Sequence, residues 1–349
     1  MPDRNVLLVD FRSVVSDFAE ELRVFLVEND FAVRVLNENR RHSKIYMPRI
    51  FRGYWIIIQV IAYLFNYQKS GSIIFCWPPE YRFELILSRA LSWLGRNKIY
   101  VIIHNFEHHD TKALYLDCSG ARFLDNRSSV VVLSDNVYAQ FSTKIDNPII
   151  QCRHPVITKY GYEKSSKLSC MKRNDTICLG SVGGVRPYKN IDKLINYLGL
   201  YRNITGRNVL LSILGEDKCD TISRFDSKWI SHRNKRFSDT DLRNFLREID
   251  VSVFGYETIS QSGAVYLPLA FGIPVFCNNV GDFGELLDIF DTAALKLDVT
   301  SYEAFATSMD TLFERQHELL EIGKRQSQYI YNKRCRNVAF SCLLDDLNA

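Results

Sequence analysis

Short apolar runs alternate along the chain with longer segments of helical spacing. The runs at 5–10, 31–36, 72–76, 98–103 and 129–133 are rich in Val, Ile and Leu, and their length suits buried strands better than helices. Between them, 17–28 and 82–94 carry apolar residues three and four apart, the spacing of a helix that buries one face. This order predicts a parallel sheet with crossover helices. A polar stretch from Glu163 to Asp175, rich in Lys and Ser, interrupts the pattern, which then restarts. Strands are predicted at 176–179, 208–214, 250–254 and 274–277, and helices at 191–201, 239–248, 262–271 and from Ser301 onward. No internal repeat appears, which excludes a solenoid.

The 349 residues suit two domains of ordinary size, divided here into 1–165 and 166–330. Two successive α/β halves imply a cleft between them, with ligands beyond the carboxyl ends of the strands. The longest apolar stretch, Tyr54 to Phe65, is broken by Gln59 and falls short of the roughly 20 residues a spanning helix needs. Its flank is basic, with Arg40, Arg41, Lys44, Arg49 and Arg52, and it holds Tyr54, Trp55 and Tyr63. Residues 40–65 therefore read either as a buried helix behind a solvated basic loop or as a monotopic contact with anionic lipid.

Forty-four Lys and Arg against 40 Asp and Glu leave a net charge of +4, too little for bulk nucleic-acid binding, so no nucleic-acid partner is expected. An anionic partner must be met by a local cluster. The nine cysteines form no C-x-x-C pair, so neither a disulfide framework nor a zinc module is indicated. Several lie in apolar runs, as Cys76 does, and the first residues lack a signal peptide's pattern; the expected compartment is the cytoplasm.

Candidate chemistry lies just after the strands. The first strand runs into Asp10-Phe11-Arg12-Ser13 without glycine, which disfavours a dinucleotide there. The strand at 176–179 instead runs into Gly180-Ser181-Val182-Gly183-Gly184-Val185-Arg186-Pro187-Tyr188-Lys189-Asn190. Glycines that let backbone approach a ligand, followed by Arg and Lys at a helix start, would equip a diphosphate site. The same residues would equally make a tight strand-to-helix turn. The second cluster runs from Phe254 through Tyr256, Ser262 and Gly263 to Ala264; N–H groups at Ser262 and Gly263 would form another anion seat, or Ser262 a plain N-cap. Glu285, in the glycine-bearing loop that follows, could lie near a sugar or merely favour a helix start. In the first half, the strand at 98–103 ends in His104-Asn105-Phe106-Glu107-His108-His109-Asp110, a density of imidazole and carboxylate suited to general acid–base work. No H-E-x-x-H spacing supports a metal, and none is expected. His154 follows a further apolar strand.

Taken in order, these motifs resemble those of GT-B glycosyltransferases, the kind that includes bacterial polysaccharide and lipid-linked saccharide transferases. Gly180 to Lys189 with Asn190-Ile191-Asp192 is similar to the superfamily's G-x-x-R-x-x-K phosphate loop. Ile213-Leu214-Gly215 and Ala270-Phe271-Gly272-Ile273-Pro274-Val275 through Glu285 resemble its later segments, and His104-Asn105, His109-Asp110, His154 and Tyr160-Gly161 resemble its first-half elements.

The resemblance implies two Rossmann-like α/β domains facing a central cleft, with a closing helix in 331–349 that returns to the first domain. It implies a nucleoside-diphosphate sugar bound by Gly184, Arg186, Lys189, Tyr256, Ser262, Gly263 and Glu285, with no cofactor and no metal. It also implies a saccharide acceptor, lipid-linked at the inner face of the plasma membrane, with Asn105 and His154 on the sugar side. His104, Glu107, His109 and Asp110 are the catalytic candidates, Asp110 or Glu107 as base if the reaction inverts. The sequence departs from the family at three places. The acidic pair of many retaining members falls on Ile259 and Leu267, position 108 is His instead of Pro, and His154 is followed by Pro155. A nucleotide-sugar epimerase or a non-catalytic sugar-binding protein on the same fold are the rival readings.

Overall fold

In a computed structural model, the structure describes residues 4–10, 15–37, 71–77, 98–104, 128–158, 175–225 and 227–349. The chain divides into two compact units, Met1–Pro155 with Arg334–Ala349, and Val156–Lys333.

The first unit contains β1 (Asn5–Asp10), α1 (Ser16–Glu28), β2 (Ala32–Asn37), β3 (Gly71–Phe75), β4 (Lys98–Ile103), β5 (Ser128–Val132), α2 (Asp135–Phe141) and β6 (Ile149–Gln151). Its strands form one sheet in the order β2-β1-β3-β4-β5-β6, every pair parallel. The continuous apolar runs follow from burial on both faces. Leu7, Val9, Ile73, Phe75 and Val101 pack on one side with Val137 and Phe141 of α2. Val6, Leu8, Ile74, Tyr100 and Ile102 pack on the other, against Phe18, Leu22 and Phe25 of α1. The predicted helix at 82–94 and the segment 40–65 lie outside the described residues.

In the second unit come β7 (Thr176–Val182), α3 (Ile191–Thr205), β8 (Asn208–Leu214), β9 (Ile230–Arg233), α4 (Asp239–Glu248) and β10 (Val251–Phe254). They are followed by α5 (Tyr266–Ala270), β11 (Val275–Cys277), α6 (Asp282–Phe290), β12 (Leu295–Lys296), α7 (Tyr302–Glu314) and α8 (Leu319–Arg334). Its sheet runs β12-β11-β10-β7-β8-β9, again parallel throughout. Ser238 starts α4 with a reciprocal cap: its hydroxyl accepts from the Asp241 N–H while the Asp241 carboxylate accepts from the Ser238 N–H. The helix predicted over 262–271 is shorter, a single 3-10 turn at Gly263–Val265 and then five-residue α5.

The crossing between units comes earlier than the polar run suggests. Val156 and Ile157 already pack in the second unit's core beside Phe245, Leu246 and Ile249, so the chain joins that core directly after Pro155 instead of near 165. It leaves again at 333/334, where the sequence reading placed 330/331. The last segment, α9 (Arg336–Ala339) and α10 (Ser341–Asn348), belongs to the first unit. Phe340 packs on Phe18 and Phe25 at centroid distances of 5.6 and 5.4 Å. The Tyr100 hydroxyl donates to Asp346 at 2.7 Å, and the Arg153 N–H donates to Ala339 O at 2.9 Å.

Phe340 is the anchor of this return, fully buried in the α1 side of the core. Phe340→Ala is expected to lower the unfolding free energy of the first unit by about 3–5 kcal/mol, the usual cost of emptying a phenylalanine site. Urea unfolding followed by a probe in each unit checks this; equal loss in the second unit would show that the closing helices do not act on the first alone.

Candidate functional site

In the second sheet β7, β8 and β9 run to one side and β10, β11 and β12 to the other. The carboxyl ends of β7 and β10 are therefore neighbours whose crossovers depart in opposite directions, the arrangement that opens a ligand crevice in α/β sheets. The sequence-predicted donor residues lie in the loops after β7, β10 and β11.

After β7, Gly183 takes φ +96°, a conformation that favours glycine, and a Cβ there would meet Lys189 Nζ at 2.8 Å and displace the ammonium. The turn Pro187–Lys189 follows, Asn190 takes a left-handed φ of 54°, and α3 begins. The two cations are treated differently. Arg186 is exposed. Lys189 is 5% exposed, its Nζ donating to Val182 O at 3.2 Å and lying 5.6 Å from the centre of the Tyr256 ring. Burial, and secondarily the nearby Arg186 charge, push its pKa down to about 8.

The loop after β10 is locked to the first by the Glu257 N–H, which donates to Tyr188 O at 2.8 Å, and by an edge-to-face contact of Tyr188 with Tyr256 at 5.4 Å. Tyr256 is fully buried and hydrogen-bonded to Ser262; burial raises its pKa, so the phenol stays protonated. It supports Lys189 from beneath and is not placed to touch a ligand as expected. The Ser262 N–H, expected to face an anion, donates instead to Asp282 Oδ2 at 3.4 Å, and the helix that follows is too short to focus a dipole. Gly263 is exposed at the start of that turn. The loop after β11 interlocks with this one. Gly281, at φ +53°, lies so near Ile259 that a Cβ would come within 1.9 Å of its carbonyl oxygen, and the Asp282 N–H donates to Ser260 O at 3.2 Å. Glu285 is partly exposed in the first turn of α6, and Gly184 is partly exposed beside Arg186. Asn278, which sequence reasoning missed, follows β11 directly; its Nδ2 donates to Tyr256 O while its buried Oδ1 has no partner among the described residues. Its position just past a strand end was the available signal.

In the first unit His104 follows β4 and is buried. Its Nε2–H donates to Cys76 O at 2.9 Å, its ring stacks on Trp77 at 5.3 Å, and the edge of Phe18 meets it at 4.8 Å. Burial lowers its pKa to about 4, against the raising effect of the Cys76 carbonyl. His154 is buried too, its Nδ1–H donating to Pro155 O at 2.8 Å, and burial followed by the His104 charge lowers its pKa to about 3. Both rings are neutral at physiological pH. His104 is placed to position, and its pKa is far below what proton transfer near neutrality needs. Asn105, Glu107, His109 and Asp110 lie outside the described residues. Among the described residues no group of three or more His, Cys, Asp or Glu could hold a metal ion, and no helix is long and apolar enough to cross a membrane.

No family model matches the sequence, and no curated protein matches it. Solved structures do. The chain is similar to sucrose-phosphate synthase from Thermosynechococcus elongatus, with TM-score 0.72 and 12% identity over 99% of this chain and 98% of that one. It is similar to an α,α-trehalose-phosphate synthase (UDP-forming) from Burkholderia vietnamiensis, with TM-score 0.70 and 12% identity over 100% and 98%. It also matches Anabaena HepE in complex with UDP and glucose, with TM-score 0.68 and 12% identity over 99% of each chain. At such identity the likeness shows the fold, the two-domain α/β GT-B arrangement.

The neutral histidines make a pH prediction. An unfolded histidine titrates near ~6.5, so between there and pH 3–4 the unfolded chain binds more protons than the folded one. The stability is present in full above about pH 6.5 and is lost as pH falls, by on the order of 3 kcal/mol for His104 alone. His104→Gln with His154→Asn keeps both donors without the charge. Urea unfolding from pH 7 to 4 should be flatter in this variant than in the native chain; parallel curves would contradict the assignment.

Proposed function

We propose that the chain is a glycosyltransferase that takes a sugar from a nucleoside-diphosphate donor and passes it to a saccharide acceptor. The observation that carries this is the pair of cations at the second unit's crevice, Lys189 incompletely compensated at its floor and Arg186 exposed at its rim. A diphosphate would give the buried ammonium the anion it lacks, with Arg186 pairing from the solvent side. As the bond from sugar to phosphate breaks, negative charge grows on the departing nucleotide, and fixed cations stabilise that charge more than the ground state. UDP and glucose bound to HepE, and the UDP-forming activity named for the Burkholderia synthase, support this donor class.

The acceptor is proposed to be lipid-linked, in cell-surface polysaccharide assembly on the cytoplasmic side of a membrane. The basic and aromatic composition of residues 40–65 supports this. Glu107, His109 and Asp110 remain the candidates for taking the acceptor's proton. The apolar Ile259 and Leu267, where many relatives of this fold class carry an acidic pair, favour one alternative, a sugar-binding protein without transfer. A glycoside product, as against bound and unchanged donor, separates the two.

Two measurements test the proposal. Thermal unfolding with UDP-, GDP-, dTDP- and CMP-sugars should show one stabilising donor, since a ligand at 100 times its Kd adds about 2.7 kcal/mol. Lys189→Met should weaken that binding about 10- to 100-fold, as should Arg186→Ala. Calorimetry in buffers of different ionisation enthalpy should show proton uptake on binding at pH 8–9, where Lys189 is partly neutral, and little at pH 7. Binding unchanged in both variants would refute the donor site. For the membrane, the chain should sediment with vesicles rich in phosphatidylserine at low salt. Neutralising Arg40, Arg41, Lys44, Arg49 and Arg52 should abolish this, and absence of native binding would refute the contact.

A further inference from the structure

Tyr256 meets Lys189 from the loop after β10, with the ammonium 5.6 Å from the centre of its ring, within the range of a cation–π attraction. The ring is fully buried and clamped by other rings: the edge of Tyr188 at 5.4 Å, Phe254 at 5.6 Å and Phe283 at 5.3 Å. These neighbours come from the turn after β7, from β10 itself and from α6, and the Asn278 side chain after β11 donates to the Tyr256 carbonyl. Three separate strand ends therefore fix where the ring stands.

An aromatic ring in this place has a consequence for charge. A carboxylate against a buried lysine would neutralise it and would have to be displaced before another anion could pair. A ring compensates the ammonium through its quadrupole, carries no net charge, and leaves the positive charge to act on a phosphate. The attraction favours the ammonium over the neutral amine. It therefore opposes burial and the Arg186 charge, the two influences that bring the Lys189 pKa down to about 8. Burial, then Tyr188 and Asp282, raise the pKa of the Tyr256 phenol against the lowering effect of Ser262, so the ring itself stays uncharged. The Val182 carbonyl, at 3.2 Å, fixes the ammonium from the strand side.

We infer that Tyr256 is a positioning residue whose ring face holds Lys189 charged and in place for the diphosphate of the donor. It acts through the lysine and does not itself meet the ligand. Its service to a diphosphate rests on the proposed donor site; the hold of the ring on the lysine does not.

Ring-fluorinated phenylalanines separate the charge distribution of the ring from its shape. Phenylalanine and its 4-fluoro, 3,5-difluoro and 3,4,5-trifluoro forms, placed at position 256 of the full chain, offer a face of steadily weaker negative potential at nearly constant size. Two quantities are read across the series. One is the Lys189 pKa, from the lysine NMR signal absent from Lys189→Met; the other is the Kd for inorganic diphosphate at pH 7.5, by calorimetry. Tyr256→Phe should keep both close to native, because the face is retained. From phenylalanine to the trifluoro form the pKa should fall by about 0.5 to 1, and the Kd should rise about 3- to 10-fold in step. In a Lys189→Met background the weaker residual binding should not respond to fluorination. A constant pKa across variants of equal unfolding midpoint would overturn the inference. So would a falling pKa with constant diphosphate affinity, or a fluorination effect that persists without the lysine. A falling pKa in a chain that binds neither diphosphate nor any UDP-sugar would overturn the donor site and leave the hold of the ring on Lys189 standing.

Discussion

Lys189 carries an ammonium into a place where 5% of the residue is exposed, and an ion removed from water must be compensated locally. The loops of the second unit are arranged around that need. Gly183 gives up its Cβ to make room, the Val182 carbonyl accepts one N–H, and the Tyr256 ring offers its negative face. Tyr256 can do so only because Phe254 and Phe283 clamp its ring and Asn278 holds its backbone. Burial, and after it the nearby Arg186 charge, still lowers the lysine's pKa to about 8. A cation buried beside a strand end in this way is suited to receive an anion, as the proposed donor site requires, and its cost is borne by the surrounding packing.

The first unit handles buried polarity in the opposite way. His104 and His154 sit among Phe18, Trp77 and one another, and burial keeps both uncharged. Each satisfies one N–H on a carbonyl of its neighbourhood, so the rings serve as shape and hydrogen-bond donors. Buried polarity is thus handled by a neutral aromatic cluster in the first unit and by a cation in the second.

Much of this was legible in the sequence, because the signals involved are local. Alternation of apolar runs and helical spacing fixed the two α/β units, since a strand buried on both faces must be apolar throughout, as 6–9 and 73–76 are. Glycines followed by Arg186 and Lys189 marked the right loop. What was not legible depends on partners distant in sequence. The polar run at 163–175 looked like the boundary, yet Val156 and Ile157, two residues of ordinary apolar character, join the second core. Ser262 read as a donor to a ligand because nothing nearby in sequence reveals that Asp282 takes its N–H. Tyr256 read as a contact residue because its burial comes from Tyr188, Phe254 and Phe283.

The apolar side chains of Ile259 and Leu267 belong to the same packing. Ile259 lies in the second unit's core with Phe254, Tyr256 and Phe283, and Leu267 packs against that core, so neither position is a polar site left vacant. Asp282, contributed by α6, engages this loop through the Ser262 N–H. A carboxylate facing the crevice would both offset the cations and accept hydrogen bonds from ribose hydroxyls. Under the proposed function, apolar residues there remove one carboxylate pair that would offset Arg186 and Lys189, which favours attraction to the phosphates over recognition of the ribose. On the same proposal, selectivity for one nucleotide sugar rests on the more exposed groups after β10 and β11, Gly263 and Glu285 among them. A donor site of the proposed kind would then carry binding strength and binding selectivity on different loops, because the strongest contact, a charge on a phosphate, is blind to what the phosphate carries.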